Sequence, residues 1–416
     1  MIRSILIVLV ACTCFTGMAQ QRTSSPYSFF GLGQQTFKGT IENRSMGGIR
    51  TYSDSIHVNL RNPASYGNLR LTTYTVGAVH TETWAETNTA KETYDNTTIE
   101  YISIGVPLGK KAAFGFGLIP FQSVGYELGT LTDEIYTNFK GEGSLNRAYF
   151  GLGYQLIKGL NIGGELRYNF GEEINSSSVV LADVQFGSNE VNETDFSGVS
   201  YNFGLHYNGN ISEKYIMQAS ATFSPESNIT GDNNRILSTI VLTGPSAEVI
   251  VNTQDVDVPR TKFKLPSEIS LGLGVGERLK WFAAAEYTLQ GTSSTTNRSF
   301  APASATFTDA ASYRIGGYFI PDYNSISNYW KRATYRAGLR YEETGLQLNG
   351  QDITEFGMSF GIGIPVGQTS AFSNVNIGLE YGQRGTTSNG LVKEDFFSIS
   401  LGLSLNDRWF QKRKYN

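Results

Sequence analysis

Only two of the 416 residues are cysteine, at positions 12 and 14. Both precede the segment that would fold, which excludes a disulfide framework, a thiolate metal site and a thiol nucleophile from the rest of the chain. Charge is scarce too: Asp, Glu, Lys and Arg make up 17% of the chain, against roughly 25% in ordinary soluble domains. The 33 basic and 37 acidic side chains leave a formal charge of −4, so no nucleic-acid partner is indicated. Nothing after residue 20 approaches the roughly 18 consecutive apolar residues of a transmembrane helix. What the chain has instead is 46 Gly, 23 Tyr and 25 Phe. That content is too aromatic for disorder and follows no collagen period, so it points to a large all-β protein.

The amino terminus reads as a secretory signal peptide over residues 1–19. Arg3 supplies the positive end, Ile5 to Ala11 is an apolar run too short to span a bilayer, and Gly17-Met18-Ala19 sets small residues before a cut at Gln20. Leu9-Val10-Ala11-Cys12 superficially matches a lipoprotein box, but the segment before Cys12 is short for a complete signal. Cleavage after Ala19 would remove both cysteines. A large exported chain without disulfides needs another source of stability, and a closed barrel provides one by leaving no unpaired strand edge.

The decisive pattern is a period of two. Ala148, Phe150, Leu152, Tyr154 and Leu156 share one face, opposite Arg147, Tyr149, Gly151, Gly153 and Gln155. Val199, Tyr201, Phe203, Leu205 and Tyr207 repeat it, as do Phe397, Ile399, Leu401, Leu403 and Leu405. A helix would scatter these residues around its axis, whereas a strand gathers them on one side. Fourteen such strands can be counted, near 72–81, 98–107, 112–121, 145–156, 162–170, 199–207, 215–223, 269–275, 281–287, 309–320, 335–341, 356–364, 375–381 and 397–405. The connections alternate between turns of three or four residues early in the chain and loops such as 122–143, 172–195 and 225–266. An even strand number and alternating loop length fit a bacterial outer-membrane barrel. A soluble β-sandwich would carry a charged outer face, but here the second face is mostly Gly, Ser and Asn. The expected architecture is an all-β, 14-stranded antiparallel transmembrane barrel over 72–416, with long extracellular loops.

Residues 20–71 precede the first strand and carry two features: Met46-Gly47-Gly48 and Asn62-Pro63-Ala64. Pro63 fixes φ and restricts Asn62, which makes a set turn, and Gly47-Gly48 allows close backbone approach to a wall. This segment is expected to fold inside the lumen as a plug or hatch; a disordered periplasmic arm is the alternative.

The combination of Gly47-Gly48, Asn62-Pro63-Ala64 and the strand series resembles the FadL-type outer-membrane transporters of long-chain fatty acids and other hydrophobic compounds. Ser25-Pro26-Tyr27-Ser28-Phe29-Phe30-Gly31-Leu32-Gly33 and the ending Leu405 to Lys414 are similar to those of the Bacteroidota branch, and Leu265-Pro266 is similar to the family's entry into a mid-barrel strand. The resemblance implies a lumenal hatch, passive uptake of a small hydrophobic or amphipathic compound, and sideways release through the wall. The segment lacks the long apolar helical stretch expected of a fatty-acid binder.

Parity places Arg147, Glu165, Arg167, Glu286, Arg314, Arg336, Arg340, Glu342 and Glu380 on the inner side, because arginine facing lipid costs about 2–4 kcal/mol at the midplane. They are expected either to latch the hatch, with Asp54 or Glu42 meeting wall arginines, or to line a solute path. Phe121, Tyr126, Leu128 and Leu131 are candidates for an apolar extracellular mouth, and loop 225–266 for an extended hairpin above it. No GxSxG, HExxH, P-loop or Cys/His metal spacing follows the leader. His206 with Ser200 and Asn202 faces the lumen, a poor place for lipase chemistry, and Asp133-Glu134 lacks a full calcium-loop spacing. The chain is thus expected to be no enzyme, to need no cofactor, and to work as a monomeric barrel among outer-membrane lipids. Its expected ligand is a small hydrophobic molecule. A scaffold or shuttle for exported proteins, with an outer-membrane or surface protein partner, is the rival; a diffusion porin for polar solutes is third.

Overall fold

The computed structural model describes residues 23–243, 247–295, 305–366 and 373–407. The expected signal peptide, residues 1–19, and the last nine residues, 408–416, lie outside the described residues. Fourteen strands form the wall: β1 (Thr72–Glu86), β2 (Lys91–Pro107), β3 (Ala112–Leu131), β4 (Ile135–Ile157), β5 (Leu160–Leu181), β6 (Gly187–Asn210), β7 (Tyr215–Ser224), β8 (Glu268–Glu277), β9 (Trp281–Gln290), β10 (Ala310–Phe319), β11 (Thr334–Leu348), β12 (Gln351–Val366), β13 (Ser373–Gly385) and β14 (Lys393–Asp407). Each pairs antiparallel with the next, and β14 closes on β1 in a continuous ladder from Lys393↔Glu86 to Asp407↔Thr72.

Alternation sets the two faces. Tyr201 and Phe203 are 47% and 52% exposed on the outside, while Asn202 between them is 2% exposed. Neighbouring strands align their outward aromatics into two rows. Tyr287, Tyr313 and Tyr341 stand side by side, with ring centroids 5.2 and 6.4 Å apart. Near the opposite end lie Trp281, Phe319 and Tyr335, paired across β9, β10 and β11. The rows are six residues apart on β9, roughly 20 Å along a strand, as suits aromatic girdles at the two interfaces of a bilayer.

The wall is taller than the membrane. Strands β4, β5 and β6 have 23, 22 and 24 residues, where about 9–11 suffice to cross. The connections expected at 122–143 and 172–195 are therefore largely strand, with turns only near 132–134 and 182–186. Apolar alternation ends where lipid ends, but the hydrogen-bonded ladder does not. Above β6, Ser227–Leu242 and Glu248–Asp257 make the hairpin expected within 225–266, and the first of these continues the sheet from β6.

Residues 23–71 lie inside the barrel. The glycines of the inner face explain how: they occur in rows across adjacent strands, and each row leaves a flat pad for this segment. Gly153, Gly163 and Gly204 are register partners on β4, β5 and β6, and a methyl at any of them would overlap the Asn62–Gly67 region. Gly316 and Gly338 are partners on β10 and β11, and there a methyl would strike the backbone of Met46 or Gly47. Gly47 and Gly48 themselves have φ of 69° and 81°, a region glycine enters without strain. Gly338→Val should therefore unseat the Met46–Gly48 turn while leaving the wall ladder paired. The expected result is a loss of about 1–3 kcal/mol, read by thermal unfolding in detergent, with heat-modifiable gel mobility retained.

Candidate functional site: a lumenal chamber and a seam in the wall

The inner segment forms two layers. The lower one is built from a single turn of helix, Ile41–Arg44, capped by Thr40, and the 3-10 turn Pro63–Asn68, capped by Asn62. Asn62 accepts from the Ala64 amide at 3.0 Å and donates to the Leu205 carbonyl on β6 at 3.1 Å. Ile41, Val58, Leu60, Tyr66 and Leu69 pack here with Tyr101, Ala113, Ile119 and Tyr149 of the wall.

Two arginines of this layer grip the wall. Arg50, 2% exposed, donates through its amide and Nε to Glu286 at 2.7 and 2.9 Å, and through Nη1 to Glu268 at 2.8 Å and Thr222 at 3.0 Å. Arg44 bridges Glu100 on β2 at 2.9 Å and Glu380 on β13 at 3.1 Å. The polarity is the reverse of the expected latch, which set plug carboxylates against wall arginines. Glu42 instead accepts from Asn376 at 2.8 Å and Ser404 at 2.7 Å. Asp54 lies 2.6 Å from His57 and accepts from the Ile56 and His57 amides. Burial raises the Asp54 carboxyl, but His57 and those amides outweigh it and hold it at about 2; burial lowers His57, and Asp54 and Glu42 more than restore it.

From β9 to β14 the wall charges form a continuous belt. Arg314 pairs with Glu286 and Glu342, Arg340 with Glu355 and Glu380, and Arg384 with Glu355 and Glu394. Arg336 donates to Asn376 at 2.9 Å. On the far side Arg167 pairs with Glu165, and Arg147 donates to Asn169 at 2.8 Å. His206 is fully buried; it lies 3.1 Å from the Thr51 carbonyl and 3.3 Å from Asn68, so it holds the inner segment. Ser200 accepts from Asn169, and Asn202 from Ser224. Asp133 and Glu134 sit in an exposed turn.

Sequence reasoning missed Arg44, Arg50, Glu100, Glu268, Glu355, Arg384 and Glu394. Carried past the membrane band, parity alone would have turned Glu268, Glu355, Arg384 and Glu394 inward. Glu100 is different. It is the extra residue of a bulge in β2, between the pairs Gly77↔Tyr101 and Ala78↔Ile99, and the bulge turns both Glu100 and Tyr101 into the lumen.

The upper layer, Thr23–Thr36, lies beside a break in the wall. Strands β2 and β3 pair only over Ile102–Pro107 and Ala113–Leu118. Above that the two part, and the exposed Ile99, Ile102 and Leu118 flank the break on the lipid side. A bulge in β3 between Pro120 and Gln122 turns Phe121 inward. The edge of β3 freed in this way is taken by the inner segment: Gln34 and Gln35 pair with Ser123 and Gln122, Thr36 donates to the Phe121 carbonyl at 3.2 Å, and Ser28 bonds both the amide and carbonyl of Gly125. Tyr27 donates to the Val392 carbonyl on the opposite side. Phe121 and Tyr126 are thus covered by this layer, Phe121 packing with Leu32 and Tyr126 with Phe29, while Leu128 and Leu131 are exposed on the upper part of β3.

Between the two layers is a chamber of about 380 Å³. Phe37, Leu60, Ile119 and Phe121 give it an apolar side; Arg44, Arg50, Glu268, Arg314, Arg340 and Glu380 give it a charged one. The grip of Arg50 is open to test. Breaking a buried ion pair on one side costs about 3–5 kcal/mol, whereas removing both partners costs far less. Arg50→Met or Glu286→Met alone should lower detergent stability by that order, and the double variant should recover much of the loss in thermal unfolding.

The wall superimposes on known barrels. A Pseudomonas aeruginosa FadL homologue is 11% identical, with 90% of this chain and 98% of that one covered, at a TM-score of 0.60. The Pseudomonas putida toluene transporter TodX is 15% identical over 90% and 99%, at 0.56. CymD, a monoaromatic hydrocarbon channel, is 14% identical over 91% and 100%, at 0.57. These likenesses establish a shared fold. No curated protein matches the sequence. The profile of one family, described as BamG, matches residues 1–416, and the chain belongs to the BamG family.

Proposed function

We propose that this protein is a passive outer-membrane channel for a small hydrophobic or amphipathic compound, fatty acids included. The solute enters the chamber from outside and leaves sideways between β2 and β3 when residues 23–36 swing off the β3 edge. The observation that carries this reading is the seam: a wall break whose lower end is flanked by lipid-facing Ile99, Ile102 and Leu118 and whose inner side is the chamber. A two-residue strand pairing is a light closure beside the ladders elsewhere in the wall. The fold shared with TodX and CymD, named for toluene and monoaromatic hydrocarbons, supports the same reading. So do the Bacteroidota-like Ser25 to Gly33 and Leu405 to Lys414 segments, which we keep as part of this proposal.

A second reading rests on the surface above the membrane. Among the described residues, strand Glu248–Asp257 pairs on one side only and is exposed along nearly its whole length, an edge onto which an exported or surface protein could add a strand. On that reading the barrel is a scaffold. An open porin for polar solutes is dropped, because the lower layer fills the lumen beneath the chamber.

The chain after residue 19 has no cysteine, so a cysteine pair can lock the seam cleanly. Gln34 and Ser123 face each other in the ladder, within disulfide reach. Q34C/S123C, oxidised, should reduce uptake of a labelled hydrophobic compound into cells or proteoliposomes at least tenfold, and reductant should restore it. Equal uptake in both redox states would remove the seam as the route, and uptake no greater than that of cells or liposomes lacking the protein would remove the channel reading and leave the scaffold.

A further inference from the structure

The cations around the chamber are not all held in ion pairs. Arg44, Arg50, Arg167, Arg314, Arg340 and Arg384 are each matched by wall glutamates. Among the described residues Lys38, Arg61 and Arg147 form no ion pair. Lys38 donates to Gln35 at 3.3 Å, Arg61 to the Gly48 carbonyl, and Arg147 through Nε to Asn169. The carboxylate nearest in effect to Lys38, Glu268, is held by Arg50 and Gln290.

All three of these cations line the same chamber. Lys38 and Arg147 both lie on the ring of Phe121, 4.5 and 3.9 Å from its centroid, so one small ligand can reach both. Arg61 stands 5.6 Å from the ring of Phe37. Phe121 is the bulged residue at the lip of the seam, which places Lys38 and Arg147 where the chamber meets the wall break, while Arg61 faces the same chamber from the Gly48 carbonyl. Uncompensated cations taken out of water are costly unless an anion pairs with them.

We propose that this corner is a binding site for a phosphate monoester, a dianionic group gripped by Lys38, Arg61 and Arg147. A single carboxylate can satisfy one guanidinium fork; a phosphate carries about −1.5 to −2 charges on three outward oxygens and can be shared by two forks and an ammonium. Phe37, Leu60, Ile119 and Phe121 supply room for a modest apolar substituent beside it. The phosphate can come from a lipid headgroup entering along the seam or from a soluble ester entering from outside. The inference names the solute class of the proposed channel and rests on that reading for the route of entry, while binding itself is separately measurable.

The test is isothermal titration of the full mature chain in a zwitterionic detergent, with glycerol 3-phosphate, dihexanoyl phosphatidic acid and octanoate as probes. At least one phosphate probe should bind ten times or more tighter than octanoate. K38Q/R147Q should weaken that binding at least tenfold, R61Q should weaken it too, and R147K should keep part of it, all with wild-type heat-modifiable mobility. Binding of glycerol 3-phosphate assigns a soluble source, and binding of phosphatidic acid alone assigns a headgroup. Octanoate binding as tightly as either phosphate, no phosphate binding by the wild type, or undiminished binding by folded K38Q/R147Q would overturn the proposal. Phosphate binding by a chain whose seam-locked form still takes up hydrophobic solute would instead uphold this site and remove the proposed route.

Discussion

Arginine from the inner segment paired with glutamate from the wall is the interaction on which the rest of the structure depends. Arg50 ties β7, β8 and β9 together through Thr222, Glu268 and Glu286, and Arg44 reaches from Glu100 on β2 to Glu380 on β13, across the closure of the barrel. The pairs are buried, so either charge left alone would be costly, and the lower layer is held where both are satisfied. The glycine pads at Gly153, Gly163 and Gly204 and at Gly316 and Gly338 let its backbone come close enough for these bonds to form.

The same constraint makes the lumen asymmetric. The belt from β9 to β14 has more glutamates than arginines, and Arg44 and Arg50 of the inner segment complete its pairs. The side formed by β3 and β4 has Arg147, outside any ion pair among the described residues, with Lys38 on the same Phe121 ring, a bulge at Phe121 and a wall ladder that stops at Ile102 and Leu118. The upper layer closes that side with edge pairing, a serine bridge and aromatic packing around Phe29, Phe30 and Leu32. No arginine clamp of the kind made by Arg44 and Arg50 arises from residues 23–36. Strong fastening below and light fastening above divide one continuous segment into a fixed floor and a releasable cover.

The wall was legible because lipid enforces a period of two: runs such as Val199–Tyr207 and Phe397–Leu405 can only be strands with one face outward. Parity likewise turned Arg147, Glu165, Arg167, Glu286, Arg314, Arg336, Arg340, Glu342 and Glu380 inward. It lost its grip in two places. Above the bilayer the outer face becomes polar, so the upper parts of β3 to β6 read as loops, and with the strands cut short Glu355, Arg384 and Glu394 were not seen. At the bulges parity slips by one residue, and there Glu100 and Phe121 turn inward. Residues 20–71 have no period at all. Gly47-Gly48 and Asn62-Pro63 announced tight backbone, but nothing local distinguishes Arg44 and Arg50, which meet glutamates, from Lys38 and Arg61, which do not.

Local opening follows the least-fastened hydrogen bonds, so backbone amide exchange in lipid nanodiscs, followed by mass spectrometry, reads the division of the inner segment directly. The account predicts that amides of residues 28–36, together with the β3 edge from Gln122 to Gly125, exchange well before those of residues 44–50. Equal protection of the two layers, or earlier exchange at Gly47 and Arg50, would contradict it.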